Sequence, residues 1–310
     1  MKHRVRLHGK KPKEKSQRRV AKAVPKRLTK SDVIKAVRHG AWPTVTAGLL
    51  AGIDPNHVFI HGDPLIMAVA ALAPVKVVEA VLRANADPNA ANRNGETALF
   101  AASDPMVVTA LLKAGADPKR TARFGGTSLH VHAHASHAQA MRALIDAGAN
   151  VDAVNDEGQT PLLLAIPQAH LPVVELLLAR GANPNHGDRH GEMPLHKIVW
   201  HRSQAAQRMA EMLISAGANL EARSPENERT PLMLAATPEM ARLLLDAGAN
   251  VNAQTSEGLT ALLRAVCDGE VAIARELLRA KADQAPRIDG KTAAEIAAQS
   301  SSKALRDLFR

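Results

Sequence analysis

Apolar residues recur at i, i+3 and i+4 along most of the chain, the spacing that lines one face of a helix. The run Val173-Val174-Glu175-Leu176-Leu177-Leu178 shows the pattern, and most such runs end in a Leu-Leu-like pair. A small tripeptide follows each one: Gly52-Ile53-Asp54, Asn85-Ala86-Asp87, Gly115-Ala116-Asp117, Gly148-Ala149-Asn150, Gly181-Ala182-Asn183, Gly217-Ala218-Asn219, Gly248-Ala249-Asn250 and Lys281-Ala282-Asp283. Their first residues are 33, 30, 33, 33, 36, 31 and 33 residues apart. Glycine accepts the left-handed conformation that ends a helix, and Asp or Asn then opens a turn.

A second pattern lies about ten residues beyond the first. It reads Gly95-Glu96-Thr97-Ala98-Leu99, Gly158-Gln159-Thr160-Pro161-Leu162, Gly191-Glu192-Met193-Pro194-Leu195, Glu228-Arg229-Thr230-Pro231-Leu232 and Gly258-Leu259-Thr260-Ala261-Leu262, with Gly125-Gly126-Thr127-Ser128-Leu129-His130 as a further copy. Gly forms the turn tip, Thr caps a helix, and Pro occupies the first turn, where its missing N–H costs nothing. Each unit therefore predicts a turn, a short helix, a second helix and a stop.

These residues closely resemble the ankyrin repeat, whose period is about 33 residues and whose signature is Thr-Pro-Leu-His-x-Ala. Six units, starting near 91, 120, 153, 186, 222 and 253, match well, and one near 60 matches loosely. The resemblance implies an all-α solenoid of about seven repeats plus helical caps. It divides the chain into a basic tail (1–30), an N-terminal cap (31–59), repeats (60–284) and a C-terminal cap (285–310).

The units are unequal. Thr97–Gly115 and Thr230–Gly248 each span 18 residues, against 21 in Thr127–Gly148, Thr160–Gly181 and Thr260–Lys281. Asp104-Pro105 and Thr237-Pro238 mark a trimmed helix–helix turn, whereas the unit at 186 carries three extra residues around Arg202–Arg208. Such changes should alter stacking locally without breaking the solenoid.

Composition supports a helical reading: 46% of residues are hydrophobic but only 2% are aromatic, so the core must be aliphatic. The lone Cys267 excludes an internal disulfide and a Cys-rich zinc module. The longest apolar run, Leu65–Ala73, is far too short to span a membrane. The expectation is a soluble, monomeric protein in the cytoplasm, with a nuclear setting or delivery into another cell as alternatives.

The net charge of +10 is unevenly placed. Residues 1–30 hold 13 Lys/Arg and one acid (13 − 1 = +12), leaving 27 basic and 29 acidic side chains elsewhere (−2). The tail has too little apolar content to offset its ordering entropy, so it is expected to be unstructured alone. Three readings stay open for it: a solvated extension, an anion or nucleic-acid contact through Lys10, Lys11, Lys13, Lys15, Arg18 and Arg19, or an address peptide. It lacks aromatics for base stacking.

No phosphate loop and no nucleophile elbow is present. The chain is expected to be no enzyme and to use no cofactor. His130, His132, His134 and His137 include spacings that could share a metal on one helical face. Yet no Cys or nearby carboxylate completes a site, so no metal is expected. The family resemblance places His130 and His196 at its signature histidine, which makes turn-stabilising hydrogen bonds, and the 33-residue spacing puts His137 and His170 in one column.

Non-catalytic protein binding is what the resemblance implies, with a scaffold, adaptor or inhibitor holding one partner against the turn tips and first helices. By position, the groove candidates are Arg123, Phe124 and His134; Asp156, Glu157 and Gln168; Arg189, His190, Glu192, Trp200 and His201; Glu226, Asn227 and Arg229; and Ser256, Glu257 and Asp268. Trp200 is the sharpest, as a large aromatic at a solvent-facing position; the alternative is that the insertion folds it into a local core. A nucleic-acid-associated factor, with tail on phosphate and repeats recruiting a protein, is the alternative function.

Overall fold

The computed structural model describes residues 27–310. The tail residues Lys10, Lys11, Lys13, Lys15, Arg18 and Arg19, expected to contact anions, lie outside the described residues. Among the described residues, eighteen α-helices form nine successive pairs. The first pair is α1 (Lys30–Arg38) and α2 (Trp42–Leu50), followed by α3 (Leu65–Leu72) with α4 (Val75–Arg83) and α5 (Ala98–Ala101) with α6 (Pro105–Lys113). Then come α7 (Ser128–His134) with α8 (Ala138–Asp146), α9 (Pro161–Ala165) with α10 (Leu171–Ala179), and α11 (Pro194–Ile198) with α12 (Gln204–Ser215). The series closes with α13 (Pro231–Leu234) and α14 (Pro238–Asp246), α15 (Ala261–Cys267) and α16 (Val271–Arg279), and α17 (Ala293–Gln299) and α18 (Lys303–Arg306). Two-residue antiparallel hairpins, Phe59–Ile60 with Asp63–Pro64 and Arg287–Ile288 with Lys291–Thr292, precede α3 and α17.

Helix α1 begins at a capping box in which Thr29 and Asp32 bond reciprocally. This capping box fixes the start of the first helix pair at Thr29.

The repeat signature builds the core as columns. Leu65, Leu99, Leu129, Leu162, Leu195, Leu232 and Leu262, one per first helix from α3 to α15, are all buried. Val81, Leu111, Leu144, Leu177, Leu213, Leu244 and Leu277 form a second buried column along the second helices. Each residue packs against its counterparts one period away, so a repeat buries its apolar stripe only when stacked. Second helices end where expected: Gly115, Gly148, Gly181, Gly217 and Gly248 have φ between 88° and 96° except Gly181 at 81°. Asn85 and Lys281 take the same left-handed place at 63° and 62°.

After each stop, the Asp or Asn side chain accepts the N–H two residues on, as in Asp87 to Asn89 (2.9 Å) and Asn250 to Asn252 (3.0 Å). The residue two positions on then accepts the next repeat's Asx N–H. Asn56 receives Asp87, Asn89 receives Asp117, Asp152 receives Asn183, Asn185 receives Asn219, Glu221 receives Asn250 and Asn252 receives Asp283, at 2.7–2.9 Å. One place in this ladder is filled by Lys119, whose ammonium has no lone pair to offer Asn150.

Unequal repeat lengths are absorbed in different helices. The trimmed units lose residues from the first helix: α5 and α13 have four residues, against seven in α7 and α15. Asp104 and Thr237 then cap the second helices through Met106 N–H (2.8 Å) and Met240 N–H (3.1 Å). The extra residues of the unit at 186 enter its second helix, which has twelve residues where its neighbours have nine.

Candidate functional site

Each repeat offers a hairpin tip and the exposed end of its first helix. The tips are joined by backbone: Arg123 N–H donates to Asn94 O (2.7 Å), Asp156 N–H to Phe124 O (2.9 Å) and Arg189 N–H to Glu157 O (3.0 Å). The next donor position is Pro225, which has no N–H. Its ring lies so close to Gly191 that a Cβ there would sit 2.5 Å from Cγ of the proline. One tip further, the Glu228 carboxylate replaces a backbone acceptor and takes Ser256 N–H at 2.6 Å. The rail of tips is therefore continuous over three joints, interrupted at Pro225, and resumed by a side chain.

Arg123, Phe124, Asp156, Glu157, Arg189, His190, Glu226, Asn227, Ser256 and Glu257 are all exposed on these tips. Glu157 and Arg189 pair across neighbouring tips at 2.8 Å. The ends of the first helices present His134, Gln168 and Asp268, with Trp200 and His201 in the turn after α11.

Two candidates turn inward. Glu192 is 3.0 Å from the Lys197 ammonium, which also holds the nearly buried Asp188 at 2.8 Å. Burial alone would raise the Asp188 carboxyl, but the Lys197 hydrogen bond and the N–H groups of Glu192 and His190 bring it below its ordinary value. Lys197 is correspondingly raised against its own burial by the two carboxylates. Arg229 is half-buried, and its Nε has no hydrogen-bond partner.

The histidines hold repeats together. His130 Nδ1 accepts Thr127 N–H at 3.1 Å while its Nε2 meets Gln159 O of the next repeat at 3.0 Å. His196 repeats this with Met193 N–H (3.3 Å) and Ala222 O (3.0 Å). His132 points backward: Nε2 meets Leu99 O at 2.9 Å, and Nδ1 faces His137 Nδ1 at 3.1 Å. Burial pushes His130, His132 and His196 below the ordinary imidazole value. His137 and His170 occupy equivalent places, each preceding a second helix, and His170 Nε2 meets His134 O at 2.9 Å. No group of three or more His, Cys, Asp or Glu among the described residues could hold a metal.

Trp200 is 50% exposed, with the Arg264 guanidinium carbon 5.9 Å from its ring centroid. Arg264, unremarked in the sequence, is fixed from below by Asp268 (2.8 Å) and Ala235 O (3.1 Å). The trimmed α13 leaves a cleft of about 210 Å³ whose lining includes Arg202, Ala236, Pro238, Glu270 and Ile273. Also missed were Arg93, which stands on its tip where Arg123 and Arg189 stand on theirs, and Val131, 40% exposed on α7. Extending the tip column back by one repeat would have found Arg93.

No helix of the described residues is long and apolar enough to cross a membrane. No curated protein matches the chain in sequence. Among solved structures, the ankyrin repeat domain of Bcl-3, a member of the IkappaB protein family, is similar at 26% identity and TM-score 0.60, over 69% of this chain and 97% of that one. The ankyrin repeat domain of human ASB11 has 23% identity and TM-score 0.59, over 69% and 96%, a likeness of fold. The family model for ankyrin repeats matches residues 103–188 and 237–309, together 86 + 73 = 159 of 310 residues. With its repeat columns, caps and hairpin tips all in register, the chain belongs to the ankyrin-repeat family.

Proposed function

We propose that this protein is a non-catalytic binding module that holds a protein partner against its hairpin tips and the exposed ends of its first helices. Ankyrin repeat domains are generally protein–protein interaction modules. The supporting observation is the tip rail: backbone bonds from Asn94 to Arg189 hold Arg123, Phe124, Asp156, Glu157, Arg189 and His190 outward in fixed register. Side chains presented on a rigid frame lose little freedom on binding, which favours affinity.

Site-specific photocrosslinking tests this. With p-benzoylphenylalanine at Asp156 or Asn227, a protein partner should be captured in cells, while the probe at Glu175 on α10 or Arg275 on α16 should capture none. Capture from the second helices alone would show that the partner uses the opposite face.

A further inference from the structure

The early tips carry the exposed Arg93 and Arg123 with no exposed acid on the same two hairpins, whereas the late tips mix the exposed acids Glu226, Glu257 and Asp289 with the exposed bases Arg223, Arg287 and Lys291. Between these ends, the pair Glu157–Arg189 neutralises the middle of the rim.

Phe124 lies in the early stretch and is 66% exposed. Its backbone has φ 65° and ψ 24°, a left-handed conformation that is an outlier for a bulky residue. Asn94, Glu157 and His190, at the same place in neighbouring tips, do not share it. The frame over-determines the strain, because Phe124 O must accept Asp156 N–H while Arg123 N–H donates to Asn94 O. The Arg123 guanidinium carbon lies 5.0 Å from the Phe124 ring centroid, so the ring is propped by a cation. A left-handed residue before a tip glycine recurs at the polar His61 (φ 55°) and Asp289 (φ 52°), so the frame accounts for the backbone but not for the aromatic side chain that Phe124 holds in water. Val131, on the first helix of the same repeat, adds exposed apolar surface.

We propose that the tips at Arg93 and Arg123 receive an acidic partner segment carrying an aromatic or large aliphatic side chain. The apolar side chain seats against Phe124 and Val131, and the carboxylates pair with the two arginines. This rests on the protein-binding reading above and adds the partner's chemistry. Arginine and aromatic side chains are the usual carriers of interface energy, and unpaired rim charges steer a partner of opposite sign.

A phage-displayed library of random dodecapeptides, panned on the full chain, tests the proposal. The enriched peptides should be net acidic with at least one large apolar residue. Their affinity should fall at least tenfold in Phe124→Gly and in the double variant Arg93→Glu/Arg123→Glu, and should weaken with salt. Phe124→Gly should also raise the melting temperature, since glycine adopts the left-handed conformation freely; a merely structural phenylalanine would lower it. Peptides that are basic, or whose binding ignores these substitutions but is lost in Glu226→Lys/Glu257→Lys, would overturn the proposal while keeping the tip-binding reading. Peptides displaced only by substitutions on the second helices would sink both. A library yielding no binder, or an oligonucleotide binding these tips more tightly than any peptide, would also overturn it.

Discussion

Trp200 and Arg264 meet across an entire repeat, with the guanidinium 5.9 Å from the indole centroid. Stacked repeats normally touch only their neighbours. Here the intervening α13 is short enough for the unit at 186 to reach the unit at 253, and Arg202 similarly comes within 4.0 Å of Glu270. The tryptophan is thus neither bare nor core: one partner covers it, and half of its surface meets solvent.

That intermediate position fixes what its removal should do. Trp200→Ala should lower stability by about 1 kcal/mol, the scale of one partly exposed cation–π contact. Leu177→Ala, in a fully buried column, should cost roughly 2–5 kcal/mol. Denaturant melts of the two variants test the contrast, and a Trp200→Ala cost equal to that of Leu177→Ala would place the indole in the core.

Stability should decline on acidification. His130, His132 and His196 are buried, and burial lowers each imidazole below its ordinary value. The unfolded chain therefore takes up protons first as pH falls, so stability is full above about pH 6.5, the unfolded histidine value, and drops below it toward the folded values. The facing Nδ1 atoms of His132 and His137 can share one proton but not two. Melting temperatures at pH 7.5, 6.5 and 5.5 should decrease in that order, and His132→Leu should flatten the profile. A flat wild-type profile would show that these rings titrate as they do in water.

The gap in the Asx ladder should be repairable. Lys119→Asn would supply an oxygen for Asn150 N–H, as Asn89 does for Asp117 at 2.8 Å. The expected gain is roughly 0.5–1.5 kcal/mol, the net worth of one such bond. Equilibrium unfolding decides it: no gain would mean that water already satisfies Asn150.

The basic segment should be separable from the solenoid. A chain starting at Arg27 keeps the Thr29–Asp32 capping box and should melt as the full chain does. If the segment contacts phosphate, the full chain should bind duplex DNA with a steep salt dependence and the shortened one should not. Equal binding by both would assign any nucleic-acid contact to the repeats.

Much of the fold was legible because its signals are local. Thr260 capping Leu263 N–H and Gly148 stopping α8 each act within a few residues, and repetition multiplied them into a register. The tips could be placed by counting from Thr160 or Thr260. The covering of Trp200 could not, because it depends on how far a four-residue α13 lets two other repeats approach. Nor could the inward turn of Glu192, which is decided by Lys197 five residues away on the next helix. The conformation of Phe124 was hidden by its neighbour: Gly125-Gly126 accounts for a turn without requiring left-handed backbone one residue earlier.

Pro225 gives the solenoid a mechanical grain. Where neighbouring tips exchange backbone bonds, twisting one repeat against the next must break them. At Pro225 there is no donor, and the joint between His190 and Glu226 is tied instead by bonds set back from the tips: His196 Nε2 to Ala222 O, Asn219 N–H to Asn185 Oδ1 and Ala236 N–H to Val199 O. The load between these two repeats therefore runs through their helices and the Asx ladder, not along the rim. A partner seated across His190 and Glu226 would bridge the gap that the backbone leaves open there, whereas a partner on the early tips alone would not touch it.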